Sequence, residues 1–315
     1  MPGLPAYTAR MTDARMLDVT TPKGVFKVWT RRVGDNPRIK LLLLHGGPGF
    51  GHEYLEAFDD YLPAQGIEYY YYDQLGSFYS DQPEMSDEML DLPRFVDEVE
   101  QVRQALGLER DNFYLFGQSW GGILAIEYAL AHQDHLKALI VSNMVASFPL
   151  YNEYAETVLM PAMDQAVLAE VKQLEAEGRY EDPRYMELLI PSHYEQHILR
   201  MPYTEWPEPV LRSFEHYNPD VYVPMQGPSE LGGSGRLLTW DRMADLHTIT
   251  VPTLTIGARH DTMDPKQMEW MAGQMPRGHY LYCPDGSHLA MYDDQRTYMS
   301  GLIDFIKSVD AGTIG

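Results

Sequence analysis

Short, almost continuously apolar runs recur along the first part of the chain and again towards its end. Ile39 to Leu44 (IKLLLL), Ile67 to Tyr72 (IEYYYY), Phe113 to Phe116 (FYLF), Ala138 to Val141 (ALIV), Thr253 to Ile256 (TLTI) and Tyr280 to Cys283 (YLYC) are too short for helices. Several end in Gly, Asp or Ser, as interior strands of a parallel sheet covered on both faces do. Val25 to Val33 (VFKVWTRRV) mixes β-branched and aromatic residues and reads as a further strand. Between these runs the period changes. Phe95, Val99, Val102 and Leu106 recur at helical spacing, as do Ile123, Ile126 and Leu130, and Tyr298, Leu302, Phe305 and Ile306. Strand and helix alternate, which predicts an open α/β sheet.

The alternation stops after about Asn143 and resumes near Val251. The interval is rich in Tyr, Pro, Glu and Met and carries one clear amphipathic stretch, Val167, Val171 and Leu174, ended at Gly178. It also contains two loop-like segments, Gly227-Pro228-Ser229 and Gly232-Gly233-Ser234-Gly235. The expected organisation is a core domain of residues 1–143 and 241–315 with a largely helical cap of residues 144–240 lying over the sheet.

Charge narrows the range of partners. With 46 acidic against 24 basic residues the formal net charge is −22, which repels nucleic acid and anionic membranes and mildly favours cationic ligands. The single cysteine, Cys283, requires no oxidising compartment. Met1 to Met16 lacks an apolar run of signal-peptide length, and no later stretch approaches a membrane span. A cytoplasmic protein is expected.

The candidate chemistry sits at strand ends. Gly117-Gln118-Ser119-Trp120-Gly121 fits Gly-x-Ser-x-Gly between a strand and a helix, the context that makes it a nucleophile elbow. The serine there adopts a strained turn, and flanking glycines are needed where any Cβ would strike the neighbouring strand and helix. A serine hydroxyl needs a base, and the base an orienting carboxylate. In sheets carrying such an elbow the chain order is Ser, then Asp or Glu, then His. Asp261 follows the strand Thr253 to Ile256, and His288 follows the strand Tyr280 to Cys283. Asp264 precedes Pro265 and reads better as a helix N-cap, and turn chemistry with Gly286 accounts for Asp285. His45-Gly46-Gly47-Pro48-Gly49 follows the strand Ile39 to Leu44 and supplies the second oxyanion donor in this arrangement, so the donors are expected to be the N–H groups of Gly47 and Trp120. No P-loop, Rossmann fingerprint, His-Glu-x-x-His or paired Cys-x-x-Cys is present, so neither nucleotide, other cofactor nor metal is expected.

These segments, together with Asp73-Gln74-Leu75-Gly76-Ser77, Gly227-Pro228-Ser229-Glu230 and Gly286-Ser287-His288, resemble the proline iminopeptidase family over nearly the whole chain. The resemblance implies an α/β-hydrolase fold and cleavage of an N-terminal residue, typically proline, from short peptides with a free amine. It also implies that cap carboxylates hold that amine, with Glu230 first, Glu187 second, and Glu195 and Glu205 as substitutes. Many family members have Asp-Gln-Arg-Gly where this chain has Leu75, which leaves any pocket role of that arginine unfilled. Three alternatives stay open: the broader aminopeptidases related to the family, a carboxylesterase or lactonase with the same triad, and a non-catalytic receptor on the same scaffold. Dehalogenase and epoxide hydrolase chemistry is disfavoured because Ser119 stands where those relatives carry Asp.

Overall fold

The computed structural model describes residues 13–314; Met1 to Thr12, part of the N-terminal segment read above for a leader, lie outside the described residues. Among the described residues eight strands form one sheet: β1 Ala14–Thr21, β2 Gly24–Val33, β3 Lys40–Leu44, β4 Glu68–Asp73, β5 Phe113–Gln118, β6 Ala138–Ser142, β7 Thr253–Ala258 and β8 Gly278–Cys283. Their spatial order is β1-β2-β4-β3-β5-β6-β7-β8. β1, β2 and β4 pair antiparallel, and every neighbour from β4 through β8 is parallel. The parallel part follows from composition. Leu41 to Leu44 on β3 are all fully buried, and each such side chain removed from water contributes about 1.5–3 kcal/mol.

Two strands depart from the sequence reading. β1 was not anticipated, because only Val19 of its eight residues is buried and an edge strand facing water shows little apolar pattern. β8, read as interior, is the opposite edge: Gly278 to Leu281 are half-buried, Tyr282 is 42% exposed and only Cys283 is enclosed.

Helices Leu92–Leu106, Trp120–His132 and Gln295–Asp310 occupy the three predicted places. Helix Pro265–Gln274 begins at Asp264, whose carboxylate accepts from the Lys266 N–H at 3.0 Å. The cap reading of Asp264 thus accounts for it. Between β6 and β7 the chain is mostly helical: Phe148–Tyr154, Gln165–Ala176, Pro183–Leu189, Glu208–Glu215 and Pro219–Met225, with π-helical turns at Ala155–Leu159 and Ile190–Ile198. The amphipathic helix Gln165–Ala176 buries Val171 and Leu174, and Gly178 leaves it in the left-handed conformation (φ +67°). The chain departs and returns side by side, where Ser147 and Asp241 form an isolated antiparallel bridge.

The site is placed by the parallel strands, whose C-terminal ends carry the loops after β3, β5, β6, β7 and β8. In open α/β sheets this is the edge where ligands bind.

Candidate active site

Ser119 joins β5 to the helix Trp120–His132 with φ +55° and ψ −125°, a region a residue with a Cβ rarely enters. Packing enforces it. A Cβ on Gly117 would lie 2.0 Å from the Gly121 carbonyl oxygen, and one on Gly121 would lie 2.2 Å from that of Leu44, so helix and strands approach at backbone distance. The Ser119 N–H donates to the Ser142 carbonyl at 3.0 Å, fixing the turn against β6.

Ser119 and His288 face the same cavity, of about 240 Å³. His288 Nδ1 lies 2.7 Å from Asp261 Oδ1, and Asp261 is fully buried. Because the carboxylate only accepts, Nδ1 carries the proton and Nε2 is left to accept. Burial alone would make the imidazole less basic, but the charge of Asp261, its hydrogen bond and the field of Glu230 outweigh burial and raise His288 above the ordinary histidine value. The base loop is held from the cap: the His288 N–H donates to the His197 carbonyl and the Leu289 N–H to that of Ile198, both at 2.9 Å.

Asn143 had no signal in the sequence reading. It follows β6 with φ +51°, and its carboxamide donates to Asp261 Oδ2 at 2.7 Å and to the Ser287 carbonyl at 3.2 Å. Short polar side chains tolerate the left-handed conformation best, which is the one clue that an Asn at a strand end offers. Tyr54 and Gln118 were likewise unassigned, and both line the cavity.

Gly47 lines the cavity in the left-handed conformation (φ +56°). Trp120 is the first residue of its helix, so its N–H has no acceptor one turn back. Its indole turns away and donates to Gln74 Oε1 at 2.8 Å. The neighbouring Leu75 is fully buried in the core, away from the cavity wall, with its N–H on Glu98 at 2.8 Å.

The four cap carboxylates separate sharply. Glu230 lines the cavity, its side chain accepting from the Tyr222 hydroxyl and its carbonyl from the Tyr151 hydroxyl at 2.8 Å. The fully buried His193 also meets that carbonyl, Nε2 to oxygen 3.0 Å. Burial first, then the neighbouring His197, lowers its pKa to about 3, so it stays neutral and donates from Nε2. Glu187 is a correction to the expected pair. Its side chain is 64% exposed, 3.8 Å from Arg184, and it is not part of the cavity wall. Helical periodicity explains this, since its neighbour Met186 takes the cavity-facing position. Glu195 is half-buried and accepts from the Tyr203 N–H at 2.6 Å, Glu205 is exposed, and neither reaches the cavity.

The rest of the wall is mostly apolar and aromatic, with Ser213 as a polar exception. Phe50 packs on Phe214, Tyr217 and Tyr222 with ring centroids 5.3–5.5 Å apart, joining the loop after β3 to the cap. Asn218 strengthens that joint, its N–H donating to the Gly49 carbonyl at 2.8 Å and its side chain to that of Gly76 at 2.9 Å.

Metal-ligating side chains meet elsewhere. Among the described residues Glu100, His132 and His135 could converge on one ion. Of these, His132 ends the helix that follows Ser119, about 20 Å away at 1.5 Å per residue, and Arg103 occupies both oxygens of Glu100 at 2.8 Å.

An elbow serine, a carboxylate-bound histidine and a glycine-rich loop at the C-terminal edge of this sheet define an α/β-hydrolase enzyme, and the family model of the alpha/beta hydrolase fold matches residues 40–176. The chain belongs to the proline iminopeptidase family. It is 58% identical over 298 residues to the proline iminopeptidase of Elizabethkingia meningoseptica and 54% identical over 295 residues to that of Flavobacterium johnsoniae, in each case covering 94% of this chain and 98% of the relative. The crystal structure of a Mycobacterium smegmatis proline iminopeptidase superposes with a TM-score of 0.81 at 28% identity, covering 94% of this chain and 99% of that one.

Proposed function

We propose that this chain is a serine peptidase that releases an N-terminal residue, preferentially proline, from short peptides with a free amine. The observation that carries the reading is the presence of Glu230 in the same cavity as Ser119 and His288. A carboxylate there attracts a cationic amine, and the aromatic and apolar wall suits the prolyl ring. Residues 144–240 act as the cap that brings Glu230 over the sheet, a division supported by the Ser147–Asp241 bridge at its root.

In the proposed mechanism His288 Nε2 takes the Ser119 proton as the hydroxyl attacks the scissile carbonyl. The N–H groups of Gly47 and Trp120 hold the resulting oxyanion. Asp261 keeps the imidazole in its Nδ1-protonated form and stabilises the cation it becomes. His288 then passes the proton to the leaving amine, the acyl group stays on Ser119, and water repeats the attack to release the amino acid. Every proton and leaving group is handled by these side chains. The peptides would be met in the cytoplasm; among the described residues no helix is long and apolar enough to cross a membrane.

Comparison of prolyl 4-nitroanilide, its N-acetyl form and 4-nitrophenyl acetate tests the reading. Free-amine anilide should be cleaved far faster than the blocked form, and Ser119→Ala should abolish turnover of all three. Equal cleavage of the blocked anilide would sink amine recognition and favour the esterase reading.

A further inference from the structure

Three loops must stay in register for the proposed chemistry: the donor loop after β3, the elbow after β5 and the base loop after β8. One buried chain of hydrogen bonds joins them. The Gly46 N–H donates to the Tyr54 hydroxyl oxygen, the Tyr54 hydroxyl donates to Gln118 Oε1 at 2.8 Å, and Gln118 Nε2 donates to the His288 carbonyl at 3.1 Å. The direction of each bond is forced. An amide N–H can only give and a carbonyl can only receive, so the carboxamide of Gln118 has one orientation and the phenol proton one destination. Tyr54 is 5% exposed and Gln118 1%, so neither can exchange its partners for bulk water. The fit leaves no slack at Gly46, where a Cβ would lie 2.4 Å from Gln118 Oε1 and 2.8 Å from Ser119 Cβ.

We propose that Tyr54 and Gln118 are positioning residues that lock the donor loop and the base loop onto the elbow, so that stabilisation of the tetrahedral intermediate depends on them and ground-state binding does not. The proposal rests on the reading of Ser119, His288 and Gly47 given above. Pinning the Gly46 N–H on the phenol fixes the His45–Gly46 peptide plane, and His45 Nδ1, donating to the Gly46 carbonyl at 3.0 Å, fixes the next plane, which carries the Gly47 N–H. Gln118 steadies the backbone of His288 from the strand side while the His197 carbonyl holds it from the cap. A buried donor or acceptor left unpaired costs roughly 1–3 kcal/mol, so the loops would re-orient when the relay is cut.

The test uses the full-length chain as wild type, Tyr54→Phe, Gln118→Met and the double variant, with prolyl 4-nitroanilide, 4-nitrophenyl acetate and an aminoboronic analogue of proline that forms a tetrahedral adduct with the serine. Each single variant should lose about ten- to a hundredfold in kcat with KM within about twofold. The boronate Ki should weaken in parallel with kcat/KM, while inhibition by the product proline stays constant. Because the relay is one unit, the double variant should be little worse than the poorer single one. Tyr54→Phe keeps the ring and its packing, and should melt as a folded protein. Unchanged kcat in folded Tyr54→Phe overturns the proposal, as do multiplicative losses in the double variant or a rise in KM alone, which would give the Tyr54 hydroxyl a role in substrate binding and none in positioning. The ester separates the two readings: a wild type that cuts ester but not anilide fails the peptidase reading while the relay is still read on the ester. A wild type inert to both sinks them together.

Discussion

At the residue scale the proposed chemistry concentrates on His288, whose basicity is set by opposing influences. Burial favours the neutral ring, whereas Asp261 and Glu230 favour the cation and prevail, raising its pKa. The proposed base must be neutral to act, so kcat/KM should fall on the acid side with a midpoint above the ordinary 6.5. Removing a negative charge lowers that midpoint. Glu230→Gln should therefore shift the acid limb of 4-nitrophenyl acetate hydrolysis downward while raising KM for prolyl 4-nitroanilide by about tenfold or more, the cost of losing a charged partner. A pH profile unmoved by the substitution would separate Glu230 from the base. Asn143 acts from the other side of the carboxylate. Asn143→Gly keeps the left-handed backbone but removes the hydrogen bond to Asp261 Oδ2, and should lower kcat by roughly tenfold with KM little changed. Ser119, Asp261 and His288 were legible because motif, order and strand ends all point to them. Asn143, Tyr54 and Gln118 were not, since their partners are distant in sequence and each is an ordinary polar or aromatic residue until the loops meet. Glu187 failed for a related reason: proximity along the chain says nothing about which side of a helix a carboxylate occupies.

At the element scale, apolar runs made the parallel strands readable and solvent obscured the edges. β3 is enclosed on both faces and shows as four consecutive leucines, while β1 exposes most of its side chains and blends with a loop. The elbow depends on contact between elements more than on any side chain it carries. Gly121→Ala would drive a methyl to 2.2 Å from the Leu44 carbonyl oxygen, forcing helix and strand apart. Backbone cannot rotate out of the way, so the expected loss is about 3 kcal/mol or more, seen as a melting temperature lower by several degrees together with loss of Ser119 labelling by a fluorophosphonate. The cap helix Glu208–Glu215 meets the core differently, through Arg212 on Glu56 at 2.9 Å and through His216 Nδ1 on the buried Glu53 at 2.7 Å. That helix also supplies Phe214 to the cavity wall. Arg212→Met should leave the core's melting temperature nearly unchanged but raise KM for prolyl substrates and speed proteolytic nicking of the cap.

At the scale of the whole molecule, charge and topology act together. A net charge of −22 surrounds the cavity proposed to take a cationic amine, so kcat/KM for free-amine substrates should decline as ionic strength rises past the point where the Debye length reaches about 10 Å, near 0.1 M. Hydrolysis of the neutral acetate ester should not follow it; parallel declines would locate the salt effect in the catalytic groups. The bridge between Ser147 and Asp241 has a separate consequence, for protein engineering. A segment that leaves and rejoins its host across one pair of residues invites exchange as a cassette, with a foreign lid conferring a foreign substrate. Here the graft would have a second seam, because the backbone carbonyls of His197 and Ile198 serve as the acceptors for the His288 and Leu289 amides. A transplanted lid lacking those two acceptors would change specificity and slacken the base in the same stroke, so a workable chimera must carry the Ile190–Ile198 turn with the host.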